Sequence, residues 1–123
     1  MNFDNFDFGA ATAEFYNVIF DEIPGIQTKF RNMESQKSMF EIALKLVLNE
    51  RRNSEKLRNF VQTLGQRHKK LGIQRMHMRI GRQAFKSALS AGDATLDETI
   101  VNDCMGFFSM IEEEMGFYPL LTD

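Results

Sequence analysis

The chain has 123 residues, of which 43% are hydrophobic, and this length allows one domain with a buried core. The formal net charge of −2 and the pI of about 5.7 exclude a broad basic field of the kind that binds nucleic acid. The single cysteine excludes an internal disulfide, and no apolar run approaches the roughly 18 residues of a membrane span, so we expect a cytoplasmic protein without a membrane segment.

Apolar residues recur every three or four positions through most of the chain, which predicts an all-α fold. The first helix is expected over about residues 10–23, after an irregular segment at 1–9. Pro24 and Gly25 break the pattern, and a short helical turn follows to Phe30, because proline suits the first turn of a helix. Longer helices are predicted over about 33–49, 54–70 and 74–90.

The last helix is predicted to begin at "TLDE", where Thr95 is followed three positions later by Glu98, the pattern of a capping box. It should end near Gly116. Cys104 lies on its apolar side and is expected to be a small buried hydrophobic residue. In the preceding helix, His77 is expected at the surface.

Three helices each carry one polar group on an otherwise apolar stripe: Tyr16, Gln36 and His68. Each has an ordinary explanation when taken alone. A histidine on an apolar stripe is more often a satisfied core residue than a ligand, a tyrosine is ordinarily a core aromatic, and a glutamine at a helix start is often half-exposed. Three such residues together indicate a shared ligand in the interior.

Common enzyme motifs are absent from the sequence. There is no glycine-rich phosphate loop, no histidine pair at metal-binding spacing and no CxxC. The basic run from Arg67 to Lys70 is, by itself, typical of a solvated helix end, where cations suit the helix dipole.

The segment "EFYNVIFDEIPGIQTKF" resembles the beginning of bacterial single-domain haemoglobins and of the globin domain of flavohaemoglobins. That family has a Phe-Tyr pair, then a phenylalanine, a proline at the next turn, and a phenylalanine that closes the following short helix. The matching positions here are Phe15, Tyr16, Phe20, Pro24 and Phe30.

Two further segments continue the resemblance. "MESQKSMFEIALKLVL" is similar to the distal helix of the family, with Gln36 facing the haem and Phe40 one turn later. "LGQRHKKLGIQ" is similar to the proximal stretch, with His68 in the place of the iron ligand. His68 follows Gln36 by 32 positions, a separation that suits a distal and a proximal residue in this fold.

The resemblance implies a globin-like helical fold over residues 1–123 with a shortened or missing first helix, because only 15 residues precede Tyr16. It implies haem b as the cofactor, His68 as the proximal iron ligand, and Tyr16 and Gln36 as distal hydrogen-bond donors to a bound gas. The other haem contacts that it implies are Phe30, Phe40, Leu64, Arg67, Lys69 and Ile73.

Two positions depart from the family pattern. The short N-terminal segment leaves Phe3, Phe6 and Phe8 to cover the core that a longer first helix would cover. "RMHM" stands where the family tends to have a proline and an aromatic that supports the proximal histidine, so strong proximal activation is not expected.

Three functional hypotheses remain from the sequence. The first is a haem protein that binds dioxygen, nitric oxide or carbon monoxide, and that supports nitric oxide dioxygenation with an external reductase if it is an enzyme. The second is a haem-free globin that acts as an interaction or signalling module; it predicts no open cavity beside His68. The third is an unrelated helical adaptor in which Tyr16, Gln36 and His68 do not meet.

Overall fold

The computed structural model describes residues 3–52 and 54–117 of the chain, and within them it contains helices and no strand. This confirms the predicted all-α class. The helices are α1 (Phe8–Glu22), a 3₁₀ helix (Ile26–Lys29), α2 (Met33–Glu50), α3 (Ser54–Lys70), α4 (Arg75–Gly92) and α5 (Glu98–Glu114). None of the helices in this described part combines the length and the apolar character required to cross a membrane.

Helix α1 begins earlier than predicted, at Phe8. The cause is Asp7, whose side-chain Oδ1 accepts a hydrogen bond from the backbone N–H of Ala10 at 2.9 Å and so caps the helix. The segment expected to be irregular over residues 1–9 is therefore shorter, and its described non-helical part is residues 3–7.

The N-terminal segment covers the core, as its phenylalanines suggest. Phe6 is buried in the main hydrophobic core, and Phe3 and Phe8 pack against that core. The backbone N–H of Asp7 donates to the carbonyl of Gly92 at 3.0 Å, which fastens this segment to the end of α4. The segment thus shields the part of the core that a longer first helix would otherwise shield.

The five helices pack as crossed pairs around one interior. Helix α1 lies mainly across α4, and α3 lies mainly against α5, while α2 contacts α1, α3 and α5. Leu44, Val47 and Leu48 of α2 are almost fully buried and carry the core between these pairs. This arrangement leaves α2 and α3 on two walls of an internal cavity.

The predicted capping box at the start of α5 is wrong. The N-cap is Asp97, whose Oδ1 accepts from the backbone N–H of Thr99 at 2.7 Å, so the helix begins at Glu98. Thr95 is bonded elsewhere, because both its backbone N–H and its hydroxyl donate to Oδ1 of Asp93, at 2.9 and 2.7 Å. An aspartate closer to the helix therefore replaced the threonine as cap.

A buried ion pair joins α4 to α5. The Arg82 guanidinium donates to Glu112, whose side chain is fully buried, and to the Ser109 hydroxyl at 2.8 Å. The cavity-lining residues Gly81 and Ile111 are the sequence neighbours of this pair. The pair therefore fixes two helices directly behind the wall of the cavity.

Candidate functional site

A cavity of about 420 Å³ lies in the interior and opens to the surface. Its lining is mainly apolar and comes from all five α-helices and the 3₁₀ helix. This volume falls within the roughly 300–1,000 Å³ that is usual for small-molecule and cofactor sites. Eight of the nine site residues predicted from the sequence line it: Tyr16, Phe30, Gln36, Phe40, Leu64, Arg67, His68 and Ile73. The ninth, Lys69, is exposed and is not among the lining residues.

His68 presents a neutral imidazole to this cavity. Its Nδ1 lies 2.8 Å from the backbone carbonyl oxygen of Leu64, one turn earlier in α3. Since a carbonyl only accepts hydrogen bonds, the ring proton is on Nδ1, and Nε2 keeps its lone pair. Burial lowers the pKa of His68; the Leu64 carbonyl opposes this effect and the positive charge of Arg67 adds to it. The ring is therefore suited to donate its Nε2 lone pair to a metal at neutral pH.

The end of α3 is closed directly after this histidine. The N–H of Ile73 donates to the carbonyl of His68 at 3.2 Å, and the N–H of Gly72 donates to the carbonyl of Lys69 at 3.1 Å. These two bonds form a Schellman motif, which requires the left-handed conformation that Gly72 adopts with φ of 74°. The motif fixes the backbone of His68 and turns Leu71 and Ile73 toward the cavity.

Tyr16 and Gln36 meet across α1 and α2 and line the same cavity. The Gln36 Nε2 group donates to the Tyr16 hydroxyl oxygen at 3.2 Å, and that hydroxyl lies 3.4 Å from the Gln36 carbonyl oxygen. The second distance is long for an O–H···O bond, so the phenol proton is held weakly and is free to reorient. Burial raises the pKa of Tyr16 to about 12, although the Gln36 side chain opposes this effect, and the phenol remains protonated.

Aromatic side chains form the wall beside this polar pair. Phe40 stacks on Phe15 with ring centroids 4.3 Å apart and meets Tyr16 edge-on at 5.7 Å. Phe30 meets Tyr16 edge-on at 5.9 Å. Because Phe40 is held against the wall by these contacts, it narrows the cavity without filling the space between Gln36 and His68.

Two polar residues of the cavity were missed by the sequence analysis. Lys29 donates from Nζ to the carbonyl of Leu71 at 3.1 Å, which joins the 3₁₀ helix to the end of α3 at the cavity. His77 was expected at the surface but is half-buried and lines the cavity, because its Nδ1 accepts the backbone N–H of Gln74 at 3.0 Å and holds the ring at the start of α4. Its proton therefore lies on Nε2, the opposite tautomer to that of His68.

The charges that line the cavity have one sign. Lys29 and Arg67 are both exposed cations on the lining, and none of the described lining residues carries a carboxylate. The arrangement therefore combines an apolar interior, one lone-pair-bearing imidazole, a phenol–amide pair and a cationic edge. Such a site can hold a flat, mainly apolar molecule that ends in carboxylates and offers a coordination position.

Comparisons with known proteins agree on one family. The family model described as Globin matches residues 13–108. Among solved structures, a bacterial globin from Campylobacter jejuni is similar to this chain with a TM-score of 0.64 and 22% sequence identity; the match covers 87% of this chain and 80% of that one. At this identity the structural likeness concerns the fold. A search of curated proteins finds no match.

Proposed function

The chain belongs to the globin family, and on this premise we propose that it binds haem b in the cavity, with His68 as the proximal ligand of the iron. Globins bind haem as a family, and the carrying observation in this chain is His68 itself. Its Nδ1 is bonded back to Leu64 at 2.8 Å, which leaves a neutral ring with a free Nε2 at an open, apolar cavity. A neutral imidazole oriented by a backbone carbonyl is the axial base that haem iron requires.

The remaining residues of the cavity fit the other parts of a haem. The porphyrin ring is flat and apolar, and Phe30, Phe40 and Leu64 supply apolar walls. The two propionates are carboxylates, and the cations Arg67 and Lys29 lie at the edge of the lining to pair with them. We therefore assign the propionate contacts to these two cations rather than to Lys69, which does not line the cavity.

When bound, haem iron supplies a coordination position for a diatomic gas such as dioxygen, nitric oxide or carbon monoxide. We propose that Tyr16 and Gln36 donate hydrogen bonds to that gas. The Tyr16 proton makes only a long contact of 3.4 Å to Gln36, so little is lost when it turns toward a ligand. In an apolar site such a bond contributes about 1–3 kcal/mol when the ligand carries negative charge.

Two strong donors favour slow release of dioxygen over simple transport. We therefore propose that the chain can support nitric oxide dioxygenation, in which nitric oxide, dioxygen and one electron give nitrate. The electron would come from an external reductase. The role of Tyr16 and Gln36 in this reaction is to retain dioxygen and to exclude its early loss. We also propose a cytoplasmic location, since the one cysteine, Cys104, is a buried free thiol.

The haem-free hypothesis requires the space beside His68 to be filled. The open cavity and the free Nε2 of His68 instead support the haem-binding hypothesis. The unrelated-adaptor hypothesis is excluded by the family match.

Haemin titration tests the proposal. The wild-type protein should take up about one haemin per chain and give an intense Soret band that shifts when dithionite and carbon monoxide are added. His68→Ala should lose or alter that band, whereas the matched control His77→Ala should retain it. A folded wild-type protein that takes up no haemin would overturn the proposal.

A further inference from the structure

The exposed large apolar side chains of the described part of the chain gather around the opening of the cavity. Ile42 is 65% exposed, and Met39 and Leu71 are each 45% exposed, yet all three line the cavity. Met76, 59% exposed, is next in sequence to His77, which also lines it. Single exposed apolar residues are ordinary, but a group at one opening marks an interaction site.

Cations flank these apolar residues. Lys29 and Arg67 line the cavity, and the exposed Lys69 and Lys70 immediately precede Leu71 in sequence. We name this group the mouth surface, and it comprises Met39, Ile42, Leu71, Met76, Lys29, Arg67, Lys69 and Lys70.

The positive charge of the mouth surface contrasts with the rest of the chain. The protein as a whole carries a formal net charge of −2. After Lys86 the sequence contains no lysine or arginine, although it contains carboxylates at and after Asp93. A molecule with this separation of charge is oriented by its own field, so that an anionic partner approaches the mouth surface first.

We propose that the mouth surface docks an acidic protein that carries a one-electron donor, a reduced flavin or iron–sulfur cluster. The inference rests on the proposed function, since the surface surrounds the opening of the haem cavity. An apolar centre with a charged edge is the usual anatomy of a protein interface, and redox complexes use small ones, below about 1,200 Å². A carrier docked here would meet the edge of the haem. It would lose one electron, and ferric iron would gain it to become ferrous.

A charge-reversal pair tests the docking surface. Haem-loaded wild-type protein, Lys69→Glu/Lys70→Glu and the control Arg58→Glu/Lys86→Glu are mixed with reduced acidic [2Fe–2S] ferredoxin, and iron reduction is followed under carbon monoxide. The control changes two exposed cations outside the mouth surface by the same net charge. At low ionic strength the mouth variant should react about tenfold or more slowly, within the range of electrostatic steering. The control should match the wild type, and salt should remove the difference between all three.

Two further measurements separate docking from haem chemistry. NMR titration with oxidised ferredoxin should broaden signals of the mouth surface, and Ile42→Ser should weaken this binding while the salt dependence stays. If dithionite reduces every variant equally and the ferredoxin rates and NMR spectra do not distinguish the mouth variant from the control, the docking proposal is overturned and the haem proposal stands. If vesicles of phosphatidylglycerol bind the wild type but not the mouth variant while ferredoxin treats both alike, the surface binds lipid and the proposal is also overturned. Absence of haemin uptake would overturn both proposals together.

Discussion

Replacing Tyr16 with phenylalanine removes one hydroxyl from the cavity and leaves the ring in place. The ring is 3% exposed and is held edge-on by Phe30 and Phe40, so we expect its position to be kept. The hydroxyl has one good partner, Gln36 Nε2 at 3.2 Å. Because Gln36 is half-exposed, its freed amide can bond to water, and the folded protein should lose about 1 kcal/mol or less.

The effect on gas release should be much larger. A hydrogen bond to a partly charged ligand in a dry site is worth about 1–3 kcal/mol, and about 1.4 kcal/mol corresponds to a tenfold change in rate. Tyr16→Phe should therefore speed dioxygen release roughly 5- to 150-fold. Gln36→Leu should give a smaller change, and the double variant should differ from the sum of the two, because the two side chains are bonded to each other.

Stopped-flow displacement of dioxygen by carbon monoxide measures this rate. Thr12→Val is the matched control, since Thr12 is a buried hydroxyl of the same helix that donates to Phe8 at 2.7 Å and does not line the cavity. The control should release dioxygen at the wild-type rate. An unchanged release rate in Tyr16→Phe would refute the assignment of the phenol as distal donor.

Three further changes test other parts of the account. Gly92→Ala should cost about 1–3 kcal/mol in urea unfolding, because its Cβ would lie 2.1 Å from the Phe6 ring; unchanged stability would mean that this segment does not pack there. Arg82→Met should cost about 3–5 kcal/mol, since it leaves the fully buried Glu112 unpaired, and Arg82→Met/Glu112→Leu should recover much of the loss. Because the pKa of His68 is lowered on folding, the unfolded chain binds the proton more tightly, and the unfolding free energy of the haem-free protein should fall below about pH 6.5; His68→Phe should lessen this fall, and an equal slope in both would contradict it.

The helices and most of the cavity could be predicted from the sequence because apolar periodicity fixes which side chains face inward. Tyr16, Gln36 and His68 stood out as polar groups on apolar stripes, and the structure brings all three to one cavity. The globin-like fold implied by the resemblance is confirmed by the family match. The resemblance also supplied what periodicity could not, namely a cofactor that explains why the groups converge.

The errors have local causes. Thr95 and Asp97 both suit a helix cap, and only the bonds of Thr95 to Asp93 decide between them. His77 lies in a basic segment that is typical of a surface, and its inward position depends on its bond to the N–H of Gln74. Lys29 is carried by a 3₁₀ helix too short to show periodicity.

The central claim is that His68 Nε2 binds the haem iron, and resonance Raman spectroscopy of the ferrous protein tests it most directly. With ¹⁵N-labelled histidine, the iron–imidazole stretching band of the wild type should shift to lower frequency. The band should be absent from His68→Ala and should return, without the isotope shift, when unlabelled imidazole is added. A labelled band that persists in His68→Ala would contradict the claim and would mean that another histidine binds the iron.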